Sequence, residues 1–249
     1  MKTTSTMKSA ALWAGLLALA LLQGCATGPN PRDPFEPYNR SMTRFNEGVD
    51  EAVLKPVAQA YQAALPSPVR TGVNNFFGNL SDVWSMVNNL LQFKPQAAGE
   101  SLMRVSVNTV FGLGGVLDWA TEMGIDRHRE DFGKTLGRWG VGTGPYLVLP
   151  LLGPSTVRDA SALLVDAYGD PVYQGVESIS TRNSLYALRI VDLRASLLRA
   201  GDVLDQAALD KYSFTRDAYL QRRGAALSGS GASEERFDLP EAAPPAPTK

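Results

Sequence analysis

Histidine and cysteine are almost absent from this chain: its 249 residues contain one of each, His128 and Cys25. Metal centres and nucleophile triads usually combine several histidine, cysteine or carboxylate side chains. A lone histidine in the charged stretch 122–131 is therefore predicted to be solvated, and one cysteine cannot form an internal disulfide. The composition predicts no metal, no cofactor and no catalytic residue, so we expect this chain not to be an enzyme.

An excess of basic residues is also missing. The chain has 24 Lys and Arg against 25 Asp and Glu, which gives a formal net charge of −1 at pH 7. Nucleic-acid-binding domains usually carry a clustered excess of positive charge. We therefore expect no nucleic-acid partner.

Strand signals are weak along the whole chain. No stretch alternates cleanly between apolar and polar residues, and no Asn-Gly or Asp-Gly turn is present. Several long stretches instead repeat apolar residues at helical spacing. The sequence predicts an all-α fold of long amphipathic helices with Gly/Pro-rich joints.

The N-terminus has the pattern of an export signal. Lys2 and Lys8 precede an apolar run over residues 10–22, which is shorter than the ~20 residues that span a bilayer. The run ends in Leu22-Gln23-Gly24-Cys25, which resembles a bacterial lipobox. We predict acylation of Cys25 and a membrane anchor, because each buried acyl methylene contributes ~0.8 kcal/mol. The alternative is an ordinary signal peptide with an incidental cysteine.

These signals divide the chain into four predicted segments. Residues 1–24 form the lipoprotein signal peptide, and residues 25–32 form an acylated linker. Residues 33–224 form one helical domain, since they supply enough chain for a sizeable core. Residues 225–249, rich in Ser, Gly, Ala and Pro, form a tail that is predicted to be disordered.

The first two helices have clear start signals. Asp33 and Pro34 predict a capped first helix, which Pro56 could interrupt. Ser67-Pro68 begins a second helix with an apolar stripe on one side. Its other side carries uncharged amides and hydroxyls and a single acid: Asn75, Asn79, Asp82, Ser85, Asn89 and Gln92. Two interpretations stay open, namely a helix buried between neighbours, with its amides paired, and a polar wall of a conduit.

One charge-free stretch runs from Val105 to Leu117, between Arg104 and Asp118. A second runs from Trp139 to Val157 and contains three prolines. It cannot form a regular spanning helix. We predict either a buried connector or an interfacial, re-entrant segment. Its apolar residues are Tyr146, Leu147, Val148, Leu149, Leu151 and Leu152.

Two more helices are predicted near the end of the chain. Residues 184–199 place Leu185, Leu188 and Val191 on a broad apolar face, with Asp192 on the opposite side. That face suits either a protein core or a lipid interface. A last helix is predicted from about Ser213 to Gly224.

Several motifs together resemble the MlaA (VacJ) family of outer-membrane lipoproteins. The most specific lie within residues 131–159: Asp131-Phe132-Gly133, Thr135-Leu136-Gly137, Trp139-Gly140-Val141-Gly142, Gly144-Pro145-Tyr146, Gly153-Pro154-Ser155 and Arg158-Asp159. Asp33-Pro34-Phe35-Glu36 and Asn75-Phe76-Phe77-Gly78-Asn79-Leu80 match the earlier part of the family pattern. The resemblance extends from about Asp33 to Arg223.

The resemblance implies a ring of helices embedded in the inner leaflet of the outer membrane, around an amphipathic channel. It implies removal of mislocalised phospholipids from the outer leaflet and their transfer to a soluble periplasmic carrier of the MlaC type, beside a trimeric porin. The protein would then be lipid-anchored in the outer membrane, face the periplasm and maintain lipid asymmetry. Ala26 in place of aspartate after the cysteine agrees with outer-membrane sorting. The alternatives are a structural porin-associated lipoprotein without transport activity and, with least support, a lipid or peptidoglycan enzyme.

Overall fold

The computed structural model describes residues 30–228. The predicted signal peptide, Cys25 and residues 229–249 lie outside the described residues. The helices are α1 (Glu36–Val49), α2 (Lys55–Ala64), α3 (Ser67–Leu91), α4 (Pro95–Val110), α5 (Trp119–Glu122), α6 (Phe132–Arg138), α7 (Val157–Gly169), α8 (Pro171–Gly175), α9 (Ile179–Ser196), α10 (Leu198–Ala207) and α11 (Lys211–Ser228). The prediction of an all-α fold is confirmed, with one short hairpin as the exception.

That hairpin lies in the charge-free stretch. Strands β1 (Tyr146–Leu149) and β2 (Gly153–Thr156) pair in an antiparallel register, with Val148 opposite Pro154. The sequence gives little sign of these strands, because each has only four residues. The second also contains Pro154, which cannot donate a backbone hydrogen bond to a neighbouring strand.

Two asparagines of α1 bind the free edge of this hairpin. The Asn39 amide donates to the carbonyl of Tyr146 at 3.1 Å and accepts from the amide of Val148 at 2.8 Å. Seven residues on, Asn46 donates to Leu149 O at 2.9 Å and accepts from Leu151 N at 2.8 Å. Because residues seven apart share a helix face, both side chains reach the hairpin. Together they form hydrogen bonds that a neighbouring strand would otherwise supply.

The start of α1 differs from the prediction. Asp33 does not cap the helix with its side chain; it is fully buried and accepts hydrogen bonds from Asn39 and Tyr212. Arg32, placed in the predicted linker, already pairs its carbonyl with the amide of Tyr146. The helix does not break at Pro56, because a π-helical turn over Asp50–Leu54 joins α1 to α2.

The C-terminal helices are also longer than predicted. Helix α9 begins at Ile179 and α11 continues to Ser228, past the predicted domain boundary at residue 224. Between them lies α10, which the sequence analysis did not predict.

The polarity of the chain is reversed with respect to a water-soluble helical domain. In α9 the apolar residues Ile190 and Leu193 are more than half exposed, whereas Asp192 is buried beneath Tyr61 and Asn74. The same reversal holds in α1, where Phe45 is exposed and Asn39 is buried. The buried polar side chains include Asn79, Asp82, Ser85, Asn88, Asn89, Arg104 and Asn108.

The packing of the elements forms a closed circuit. Helix α1 contacts β1, β1 contacts α7, α7 contacts α8, α8 contacts α9, and α9 contacts α2, which leads back to α1. Helix α3 packs against α4, α6, α8 and α9. Within the described residues, no helix has both the length and the apolar content to cross a membrane.

Candidate functional site

A cavity of about 310 Å³ lies between α3, α7, α9, α11 and the hairpin. This volume is in the range of small-molecule sites. Its lining combines apolar side chains with five carboxylates and two guanidinium groups: Leu149, Leu152, Leu163 and Trp84, with Glu130, Asp131, Asp159, Asp166, Asp170, Arg189 and Arg223. The mixture of apolar and charged groups matches an amphipathic ligand.

Four of the five carboxylates have a cationic partner. Glu130 pairs with Lys94 at 3.1 Å, Asp131 with Arg223 at 2.5 Å, Asp159 with Arg158 at 2.8 Å, and Asp170 with Arg189 at 2.6 Å. Three of these pairs join different parts of the fold: the loop before α6 to Lys94 and to α11, and the residue before α8 to α9. They fix the walls of the cavity.

Asp166 is held differently. Its Oδ1 accepts hydrogen bonds from the indole N–H of Trp84 at 2.7 Å and from the backbone N–H of Phe132 at 2.8 Å. No cation of the described chain forms an ion pair with it. Burial raises the pKa of Asp166, although the hydrogen bonds from Trp84 and Phe132 act in the opposite direction.

Two motifs of the resemblance meet beside this cavity. Asp131 begins α6 by accepting from the amide of Lys134, and Arg223 bridges its carboxylate to that of Asp159. Gly133 is required at this point, because a Cβ atom there would lie 2.6 Å from a carboxylate oxygen of Asp159. The Asp131-Phe132-Gly133 and Arg158-Asp159 motifs therefore build one ion-pair cluster.

The polar side of α3 is largely buried against other parts of the protein. Asn79, Asp82, Ser85, Asn89 and Gln92 are buried, and Asn75 is half-buried with its amide on the carbonyl of Val116. Their contacts are with protein: Asn79 donates to Thr109, Ser85 contacts Glu130, and Gln92 donates to Thr135. This placement favours the buried-helix interpretation, and a lining role for these six residues stays a prediction.

Two other residues of α3 line this cavity. Ser81 and Trp84 lie one position before Asp82 and Ser85. Successive residues of an α-helix are rotated by about 100° about the helix axis. Side chains one position apart therefore point in different directions and contact different parts of the protein. Helical periodicity gave the spacing of the stripe but not the direction in which each side chain faces.

The predicted interfacial segment is divided by the hairpin. Tyr146 and Val148 are buried against Tyr212, while Leu147 and Leu149 are half-buried. Leu151 and Leu152 at the turn are 64% and 70% exposed, so only this tip offers the free apolar surface expected of an interfacial segment. That role remains a prediction for the tip.

Sequence reasoning missed a buried charge cluster between α3, α4 and α5. Arg104 is fully buried and contacts Asp82 at 3.4 Å and both carboxylate oxygens of Asp118 at 2.9 Å. Arg127 contacts the same Oδ2 atom of Asp82 at 3.1 Å. The available signal was the isolation of Arg104 and Asp118 at the two ends of a charge-free stretch. His128 is half-buried and pairs with Glu100, so its predicted solvation is only partial.

Comparisons with known proteins agree with the sequence motifs and with the helical fold. The family model for the MlaA lipoprotein matches residues 31–226. The intermembrane phospholipid transport system lipoprotein MlaA of Haemophilus influenzae is 35% identical over 246 residues, which cover 94% of this chain and 97% of that protein. The protein of the same name from Escherichia coli K12 is 35% identical over 223 residues, 86% of this chain and 87% of its own length.

A solved structure gives the same result. It comes from work on the structural basis for maintenance of bacterial outer membrane lipid asymmetry. It superposes with a TM-score of 0.64 at 34% identity, over 78% of this chain and 98% of that one. The resemblance is confirmed, and this chain belongs to the MlaA lipoprotein family.

Proposed function

We propose that this chain is an outer-membrane lipoprotein that removes mislocalised phospholipids from the outer leaflet and hands them to a soluble periplasmic carrier. Its relatives are named for intermembrane phospholipid transport. In this proposal acylated Cys25 anchors the chain, a trimeric porin holds it in place, and the described domain faces the periplasm. The activity moves intact lipid and forms or breaks no covalent bond.

The observation that carries the proposal is the reversed polarity of the chain. Extensive exposed apolar surface marks contact with protein or membrane. Apolar side chains of α1, α3 and α9 are exposed, amide side chains are buried within the protein, and charged side chains line a cavity. A bare polar headgroup in hydrocarbon costs several kcal/mol, so a passage for phospholipid needs polar walls inside and an apolar surface outside.

The cavity provides both kinds of wall. Leu149, Leu152 and Leu163 can contact acyl chains, whereas the carboxylates and arginines can contact a headgroup. Because four of the five carboxylates are already paired with cations, the headgroup would meet a wall whose charges largely cancel. Such a wall replaces water without holding the lipid permanently.

The test is a pair of neighbouring substitutions in α7. Leu163 lines the cavity, while Leu164 is 73% exposed and does not. In a strain lacking the gene, wild-type protein and Leu164→Trp should restore low labelling of surface aminophospholipid by a membrane-impermeant amine reagent. Leu163→Trp should fill the cavity and fail to restore it.

Two controls accompany this experiment. Immunoblots should show both variants at wild-type levels, and porin trimers should assemble equally in every strain. Full restoration by Leu163→Trp would contradict a passage through this cavity. A loss of porin trimers on deletion, with no change in surface phospholipid, would instead support the structural porin-associated lipoprotein.

A further inference from the structure

The two cations that line the cavity are not free to bind an anionic ligand. Arg189 and Arg223, the two cations of the lining, are each bound to a carboxylate, at 2.6 Å from Asp170 and 2.5 Å from Asp131. An anionic headgroup would therefore have to displace a protein carboxylate to reach a guanidinium group. Charge-assisted hydrogen bonds of this kind are among the strong ones.

Asp166 is the opposite case. Its Oδ1 is held by two neutral donors, Trp84 Nε1 and the Phe132 amide, so its position is fixed without neutralising its charge. Burial raises the pKa of this carboxyl, although the hydrogen bonds from Trp84 and Phe132 and the charge of Arg223 act in the opposite direction. A ligand that brings its own cation would supply the missing partner.

Trp84 adds a second feature that suits a cation. Its indole lines the cavity beside Asp166 and packs closely on Gly169, where a Cβ atom would lie 2.4 Å from the ring. Tryptophan is the aromatic side chain that attracts ammonium groups most strongly. The Trp84–Asp166 pair thus joins an aromatic ring and a carboxylate on one wall.

We propose that Asp166 and Trp84 select phospholipids whose headgroup carries an ammonium over phospholipids whose headgroup is only anionic. This inference rests on the proposed function and makes Asp166 a specificity-determining residue of the same cavity. The apolar residues that contact the acyl chains are common to both lipid classes, so the headgroup decides the preference.

The test uses the full-length acylated protein in detergent micelles. It is equilibrated with an equimolar mixture of phosphatidylethanolamine and phosphatidylglycerol that share the same acyl chains, and retained lipid is quantified by mass spectrometry after gel filtration. Wild-type protein should retain the ethanolamine lipid by about tenfold over the glycerol lipid, equivalent to about 1.4 kcal/mol. Asp166→Asn should bring the ratio near one, because the ammonium headgroup loses its ionic partner.

Matched variants separate charge from structure. Asp166→Glu keeps the charge and should keep a preference for the ethanolamine lipid. Asp126→Asn changes an exposed carboxylate that does not line the cavity and should leave the ratio unchanged. Equal melting temperatures for wild type and Asp166→Asn would exclude a folding defect.

The outcomes distinguish this inference from the function on which it rests. An unchanged ratio in Asp166→Asn overturns the selectivity and leaves the transport proposal standing. Failure of wild-type protein to retain either lipid overturns both. Lysophosphatidylethanolamine should displace the bound lipid at concentrations where water-soluble glycerophosphoethanolamine does not; equal displacement by both would assign the site to soluble amines and overturn the inference.

Discussion

At the scale of single residues, Arg104 shows how this chain stabilises a polar interior. Its guanidinium group binds Asp82, Asp118, Thr121 and the carbonyl of Ile125, so one side chain joins α3, α4 and the loop after α5. A buried ion pair offsets the cost of its own desolvation only when its remaining hydrogen bonds are satisfied. Here nearly every polar atom around Arg104 has a partner inside the protein.

Asp118 makes the stability contributed by this cluster depend on pH. Burial tends to raise its pKa, but hydrogen bonds from Thr121 and Asn108 and the charge of Arg104 outweigh that effect and lower the pKa to about 2. A lowered carboxyl pKa stabilises the folded state above the usual value near 4, and this stability is lost as the pH falls through the folded value. We expect Asp118 to contribute about 2 kcal/mol at neutral pH.

The prediction for Asp118→Asn is therefore a smaller loss of stability between about pH 5 and pH 2. Denaturant unfolding of the micelle-bound protein across this range would measure it. Other carboxylates titrate in the same window, so the comparison is with wild type and with Asp126→Asn, an exposed change in the following loop. Equal pH slopes for Asp118→Asn and wild type would contradict the prediction.

At the scale of elements, the hairpin depends on a neighbouring helix. Strands of four residues have little stability alone, and a two-stranded hairpin is marginal in water. The side-chain amides of Asn39 and Asn46 complete its edge, and Asn46 spans the turn where Leu151 adopts a positive φ of 62°. A non-glycine residue in this conformation needs support from its surroundings.

We predict that Asn46→Ala lowers the free energy of unfolding by about 1–3 kcal/mol, since Leu149 O and Leu151 N lose their partner. Amide hydrogen exchange at Leu151 should accelerate while exchange in α4 stays unchanged. The matched control is Asn183→Ala, at an exposed asparagine of α9. Protection of Leu151 equal to that of wild type would show that the turn does not depend on Asn46.

At the scale of the whole molecule, the exposed apolar surface predicts membrane contact independent of the acyl anchor. Burial of a large apolar side chain contributes about 1.5–3 kcal/mol when complete. Ile190 and Leu193 lie on the outside of α9 and are 51% and 56% exposed. Apolar residues of α1, α3 and α4 are exposed as well.

The double variant Ile190→Lys/Leu193→Lys should therefore weaken binding to uncharged phosphatidylcholine vesicles by about tenfold or more. The measurement is vesicle flotation of the chain without residues 1–24 and carrying Cys25→Ser, which removes the predicted acylation site. Thr181→Lys/Asn183→Lys adds the same charge at exposed polar positions of the same helix and should bind like the parent chain. Equal binding by both double variants would refute a role for this face.

The sequence by itself determined the local features of this protein. Helical periodicity, Ser67-Pro68 and the turn residues are local signals, so the existence of most helices and the all-α class could be read from them. The motifs of residues 131–159 were sufficient to identify the family. The predictions for Cys25 and for the signal peptide rest on an equally local pattern.

Only the tertiary structure decided which face of each helix points inward. Periodicity separates an apolar face from a polar one but does not say which solvent surrounds the chain, and here Asp192 and Asn39 turn inward while Ile190 and Phe45 turn outward. It also decided the site, because Asp166 meets Trp84 across 82 positions of sequence and Asp131 meets Arg223 across 92. Such pairings depend on how the helices pack together, which no local pattern contains.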